Sequence, residues 1–200
     1  MTQLGLRIGD IKGAAGSSYV ELNGTKVFAA VYGPIEPENQ QDSSKTGIID
    51  CVIEDAWDQN APLEGLQHKF LHIFSSAICN DVYFKTLIRV SITIISRGGS
   101  IADATTLAGS LALLDAGIQM SDFVISCTVG LVNGNFVPFA PSETTIRVAL
   151  LPSKDEIVET EVIGSIDSQF VVNAVNVAIT GCKELMQSVR QFMNTQITKN

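Results

Sequence analysis

Four small sets of residues in this chain have types and spacings that suit chemistry. Glu64, His68 and His72 recur at intervals of four, which stacks them on one face of a helix. Such a face holds zinc when a further ligand arrives from elsewhere in the chain. A lone spacing of this kind fits a solvated or interface face equally well, and no metal is assigned to it. Arg97-Gly98-Gly99-Ser100 joins a strand pattern to a helix pattern, where free backbone N–H groups and the helix dipole can hold a phosphate. Gly13-Ala14-Ala15-Gly16 is a second glycine-rich piece. Neither has the lysine of a P-loop or the full dinucleotide fingerprint, so both read first as turns, with a phosphate role left open for the Arg97 loop. Asp103, Asp115 and Asp122 bracket a helix of small residues and can supply a general base or a divalent-metal site. A helix-ending turn for Asp115 and a turn before a strand for Asp122 explain them as well. Lys85, Arg89 and Arg97 come nearest to a basic cluster and are the candidate phosphate contacts. No G-x-S-x-G elbow exists and only two histidines are present, which argues against triad hydrolysis.

The elements that must position these residues follow from periodicity. Residues 18–22 alternate, Asn23-Gly24 supplies a type I′ turn, and residues 25–32 return as a strand, ended by Gly33-Pro34. Residues 35–47 read as a polar loop and 47–54 as a third strand. After Pro62 the apolar spacing changes to three and four, at Leu63, Leu66, Phe70, Ile73, Phe74, Ala77 and Ile78, predicting an amphipathic helix. A strand over 86–96 precedes a helix over 101–114 whose Ala102, Ala104, Ala108, Gly109 and Ala112 leave room for close packing between layers. Gly117 suits the left-handed cap of that helix. Strands follow over 123–132, 145–151 and 156–162. A last helix over 167–196 is capped by Asp167 or Ser168, with Val171, Val175, Ala178, Cys182, Leu185, Val189 and Phe192 forming its buried seam. The order β-β-β-α-β-α-β-β-β-α, without a linker or repeat, predicts one α+β domain over 1–200 with helices packed on a mixed sheet.

Composition bounds the function. Two hundred residues suffice for a core without disulfides or metal. A net charge of −8 argues against autonomous nucleic-acid binding through bulk charge. A weakly charged, acidic chain suits burial against partner subunits instead. No apolar run is long enough to span a membrane, and no targeting segment is visible. Cys51, Cys79, Cys127 and Cys182 lack paired metal spacing and read as buried, reduced thiols of an intracellular protein. Eight acids fall between Glu36 and Glu64, against Lys45 alone, which marks that stretch as a specific acidic surface.

Taken together, several stretches resemble the ribonuclease PH family. Residues 16–34, GSSYVELNGTKVFAAVYGP, resemble its N-terminal signature through Gly16, Asn23, Gly24, Gly33 and Pro34. Gly98-Gly99-Ser100, the small-residue helix, LDAGIQMSDFV over 114–124 with Asp115 and Gly117, and Gly130-Leu131-Val132 resemble the second signature. VALLP over 148–152 and the helix containing Gly181-Cys182 resemble its closing segment. The resemblance spans the chain and is nearest to the ring subunits of the eukaryotic RNA exosome, through which RNA is threaded. It implies a ribonuclease PH-like domain of the ribosomal protein S5 domain 2-like class.

Departures from the active pattern carry the functional expectation. Active members hold RNA with arginines on the first helix, where this chain has Gln67-His68-Lys69-Phe70-Leu71-His72. They bind inorganic phosphate with a Thr-Arg-Thr element, where this chain has Ser100-Ile101-Ala102-Asp103. They place a catalytic aspartate before the Val-Ala strand, where this chain has Thr144-Thr145-Ile146-Arg147. Phosphate and RNA need cations to offset their charge. The resemblance therefore implies a subunit with no catalytic residues and no cofactor, supporting 3′-to-5′ processing and degradation of RNA, including rRNA maturation. The alternative is a phosphate-dependent 3′-to-5′ exoribonuclease, as a homo-oligomer or with a partner; a metal nuclease built on Asp103 is a third. The implied partners are other ribonuclease PH-like subunits, S1/KH-type cap subunits and RNA, with Lys85, Arg89 and Arg97 as candidate contacts. The implied location is the nucleus and nucleolus, and the cytoplasm.

Overall fold

Two Asn-Gly pairs set the hairpins. Asn23 and Gly24 have φ of 47° and 83°, and Asn133 and Gly134 have 50° and 77°, the left-handed pair that a type I′ turn requires. The computed structural model describes residues 3–37, 47–140 and 142–197. Its elements are β1 (Leu4–Ile8), β2 (Gly16–Leu22), β3 (Thr25–Ile35), β4 (Ile48–Asp55), α1 (Glu64–Ala77), β5 (Leu87–Ser96), α2 (Ile101–Asp115), β6 (Ile125–Val132), β7 (Asn135–Pro138), β8 (Thr145–Leu151), β9 (Glu156–Ile163) and α3 (Ser168–Ile197). A single 3₁₀ turn, Asn80–Tyr83, leads from α1 toward β5. Most of the polar loop expected over 35–47 lies outside the described residues.

The strands form two sheets. One has the order β1-β2-β3-β5-β4, antiparallel except for the parallel pair β4 and β5; the other is β7-β6-β8-β9, antiparallel throughout. Helix α2 packs on β2, β3 and β5 of the first sheet and on β6 of the second, and α3 covers the second sheet along β6, β7 and β8. The layers thus run sheet, helix, sheet, helix, with α1 against β4 and touching β9. Among the described residues no helix is long and apolar enough to cross a membrane.

Helix α2 explains its own composition. Eleven of its residues, from Asp103 to Leu113, are buried, so every polar side chain among them must find an internal partner. Ser110 donates to the Val124 carbonyl at 2.7 Å, and Thr105 bonds back to the Ile101 carbonyl at 3.0 Å. From β2, Ser18 donates to the Ala108 carbonyl at 2.7 Å. The helix stops in a Schellman arrangement: Gly117 has a φ of 67°, its N–H meets the Leu114 carbonyl, and the Ile118 N–H meets that of Leu113.

Gly109 is where α1 lies on α2. A Cβ there would come within 2.4 Å of Phe70 Cζ, and Phe70 is stacked on Phe74 with ring centroids 4.1 Å apart. Alanine would gain about 1 kcal/mol in helix propensity, but it would overpack a closed aromatic pair. Gly109→Ala is expected to cost about 2 kcal/mol net. Equilibrium denaturation checks this, with Phe70→Leu in the same chain recovering most of the loss.

Several elements differ from expectation. Strands β1 and β7 are additions, both short and both at sheet edges. The β sheet content is divided between two sheets, of which only the five-stranded one is mixed. Gly33-Pro34 does not end β3: pairing with β5 skips from Tyr32↔Arg89 to Ile35↔Leu87, so the residue lacking an N–H sits in the bulge and the strand resumes. Helix α3 begins one residue later than expected, with Asp167 as its cap, accepting from the Gln169 N–H at 3.3 Å. Cys79 is only half-buried, whereas Cys51, Cys127 and Cys182 are buried thiols that burial pushes well above the usual range.

Candidate functional site at the start of the central helix

The glycine turn after β5 is used by the protein itself. The Gly98 N–H donates to Thr25 Oγ1 at 3.1 Å and the Gly99 N–H to the Asn23 carbonyl at 3.0 Å. A Cβ on Gly98 would lie 2.5 to 2.7 Å from backbone atoms of Asn23, Gly24 and Thr25. Glycine is needed here so that the turn can dock on the β2–β3 hairpin. Its two amides are therefore already bonded within the protein. Arg97 is engaged as well, its Nε donating to Asp55 Oδ2 at 2.7 Å.

The N-terminus of α2 receives an internal carboxylate. Ser100 caps the helix, its Oγ accepting from the Asp103 N–H at 3.3 Å and lying 2.9 Å from Thr128 Oγ1. Asp103 has no solvent exposure. Its Oδ1 accepts from the Ser126 hydroxyl and its Oδ2 from the Thr128 N–H, both at 2.8 Å. Burial pushes the Asp103 carboxyl above its ordinary value, against the pull of these hydrogen bonds. Enclosed in this way, Asp103 ties α2 to β6 and is inaccessible to a metal ion or a substrate proton.

Beside it, a row of side chains crosses the second sheet. The register sets Thr128 opposite Arg147, and Arg147 opposite Glu161. Arg147 is 5% exposed, with Nη2 at 3.1 Å from both Glu159 and Glu161. Lys69 reaches down from α1 to pair with Glu161, which joins the helix to the sheet edge. Thr145 is buried at the start of the same strand. Two cations and two carboxylates here neutralise one another, with Arg147 buried and the other three partly exposed.

The remaining candidates are dispersed. Arg89 pairs with Asp50 at 2.9 Å, and Arg97 lies beyond the other end of β5, about 26 Å further along the chain. Lys85 sits in the turn before β5, its ammonium 5.1 Å from the Phe84 ring centroid. These three residues do not form a cluster. Glu64, His68 and His72 are exposed on α1, and among the described residues no three His, Cys, Asp or Glu side chains gather as a metal-holding group. Asp115 accepts from the Ser17 N–H at 2.9 Å, fastening α2 to β2. At Gly16 a Cβ would lie 2.1 Å from the Ala116 amide nitrogen, so that junction requires glycine. Asp122 accepts from the Ser153 N–H at 2.6 Å and holds the β8–β9 turn. Sequence reasoning passed over Ser126, Thr128 and Trp57; only the last carried a signal, as the single tryptophan in the chain.

Residues 2–119 match the 3′ exoribonuclease family, domain 1. The chain is 27% identical over 210 residues to the exosome complex component Rrp41 of Pyrococcus furiosus, covering 97% of this chain and 84% of that protein. It is 25% identical to the exosome complex component RRP41 homolog of Arabidopsis thaliana, covering 96% and 87%. Among solved structures, Rrp46 of rice (Oryza sativa) has a TM-score of 0.85 at 15% identity, covering 94% of this chain and 93% of that one. The Archaeoglobus fulgidus exosome with RNA bound to its active site has a TM-score of 0.78 at 19% identity, covering 94% and 89%. The last two likenesses show the shared fold, and the match over 2–119 shows the family. This chain belongs to the ribonuclease PH-type 3′ exoribonuclease family.

Proposed function

We propose that this protein is a structural, non-catalytic subunit of an RNA exosome ring, supporting 3′-to-5′ RNA processing and degradation. One observation carries the reading: the start of α2, where active members of the family bind phosphate, is filled by the protein's own buried Asp103 carboxylate. A phosphate entering there would meet a carboxylate and two glycine amides already bonded elsewhere. The absence of an acid before the Val-Ala strand, where Thr145 and Arg147 stand instead, supports the same conclusion. Relatives named as exosome components, and an archaeal exosome structure with RNA bound, support the assembly and its substrate. The partners proposed are ribonuclease PH-like ring subunits, S1/KH-type caps and RNA, in the nucleus, nucleolus and cytoplasm. For direct RNA contact we favour Lys85, because Arg89 and Arg97 already carry carboxylate partners.

The test is phosphate-dependent decay of RNA by the purified chain. No nucleoside diphosphate release is expected, with or without phosphate. Release abolished by a change at Arg97 or Asp103 would overturn the reading in favour of an active exoribonuclease. Co-purification from native cells should return stoichiometric ring partners, and a stable monomer without partners would count against the assembly.

A further inference from the structure

Trp57 is 83% exposed, yet its orientation is fixed. Its indole N–H donates to the Ile95 carbonyl at 2.7 Å, and its backbone N–H to Asp55 Oδ1 at 2.9 Å. Asp55 also accepts from the Asp58 N–H at 3.1 Å and from Arg97, so one carboxylate organises the whole loop after β4. The Trp57 amide, then the Arg97 guanidinium, hold the Asp55 carboxyl below its ordinary value, against the opposing effect of burial. An exposed indole held in place presents a large apolar surface whose ordering cost is already met before any partner binds. The same loop borders a cavity of about 370 Å³ lined by residues that include Ile53, Glu54, Ala56, Asp58 and Leu63, with the indole itself outside the lining.

Charge selects the occupant. Glu54 and Asp58 are exposed and form no ion pair among the described residues, while the neighbouring cation, Arg97, is taken by Asp55. A nucleic acid strand brought to this face would set phosphates against carboxylates that no cation offsets, Asp58 accepting only the Asn60 N–H at 3.1 Å. A cationic side chain would gain both the carboxylates and the face of the indole.

We propose that Trp57 and the adjoining cavity dock a basic, extended peptide segment of a partner protein, with an arginine or lysine over the indole and beside Glu54 and Asp58. Rigid aromatic anchors of this kind carry much of the binding at protein interfaces. The loop is joined to the turn before α2 through Arg97, but the proposal does not depend on whether the chain is catalytic.

The single tryptophan makes the test direct, because all indole emission from the full chain reports this position. Titration with a short Gly/Arg peptide should shift Trp57 emission saturably. The same peptide with citrulline for arginine, and single-stranded oligoadenylate, should leave it unchanged. Glu54→Gln with Asp58→Asn should keep the tryptophan and weaken binding about fivefold. Trp57→Ala, followed by anisotropy of a labelled peptide, should weaken it about tenfold while thermal unfolding is unaltered. An equal response to the citrulline peptide, a preference for oligoadenylate, or no response would overturn the proposal. A chain that joins ring partners but ignores the peptide would sink this site alone. One that binds the peptide but joins no ring would sink the ring reading alone.

Discussion

Asp103→Ala is expected to lower the stability of the folded chain by about 4 kcal/mol, because it strands two buried donors at once. The Thr128 N–H and the Ser126 hydroxyl both lose their acceptor in a place water does not reach. In a chain of this length the change corresponds to roughly 8–16 °C in Tm. Asp103→Asn is expected to behave differently. Its Oδ1 can still accept from Thr128, and its amide can donate to the Ser126 Oγ after that hydroxyl turns. The pH dependence separates the two variants. In the folded state burial raises the Asp103 carboxyl above its unfolded value, so the native protein binds the proton more tightly than the unfolded chain does. That contribution is fully present below the unfolded value and is lost as pH rises through the folded one. Stability should therefore shift in favour of asparagine as pH climbs above about 4, then level off once Asp103 is ionised. Denaturant melts of the three chains across pH measure this directly. A general base or metal ligand would instead tolerate alanine with little loss of stability.

Local rules made much of the fold legible. Asn-Gly pairs marked both hairpins, the three-four stripe from Leu63 to Ile78 marked α1, and the small residues of α2 announced a helix between layers. What stayed hidden was non-local. Strand β1 exists because Leu4, Leu6 and Ile8 pack on the core while its backbone pairs with β2, and five residues with a glycine carry little strand signal of their own. The candidate site was legible mainly as a set of departures: Asp103 and Arg147 stood out for where they are in the chain. Their partners did not, because Ser126, Thr128, Glu159 and Glu161 are brought to them by sheet register. The glycines at 98 and 99 fit a phosphate loop as well as a docking turn, and only the position of the β2–β3 hairpin decides between them. The overall charge described the surface near Trp57 well and said nothing about ancestry.

Removing Arg147 should be the other large loss. Its guanidinium is almost fully buried between Glu159 and Glu161, and Arg147→Met leaves two carboxylates facing each other with only Lys69 to answer them. Breaking a fully buried pair from one side costs about 3–5 kcal/mol, most of it the penalty of the charge left behind. With both glutamates partly exposed and Lys69 still paired to one, the loss here should fall at or below the lower end of that range. If that accounting holds, the loss must shrink when the carboxylates go too. Arg147→Met with Glu159→Gln and Glu161→Gln should recover at least half of it, as a multiple-mutant cycle by chemical denaturation would measure. The alternative assignment makes the opposite forecast. An arginine held ready for an RNA phosphate would be dispensable for stability, and its loss would appear as weakened cross-linking of RNA in the assembled ring. Burial of the guanidinium favours the first outcome, since a group that already has two carboxylates at 3.1 Å would have to surrender them to bind a phosphate. A phosphate would then have to compete with anions that are covalently part of the sheet. Arg147 is thus a structural joint between β8, β9 and α1, and its loss should register in denaturation before it registers in any contact with RNA.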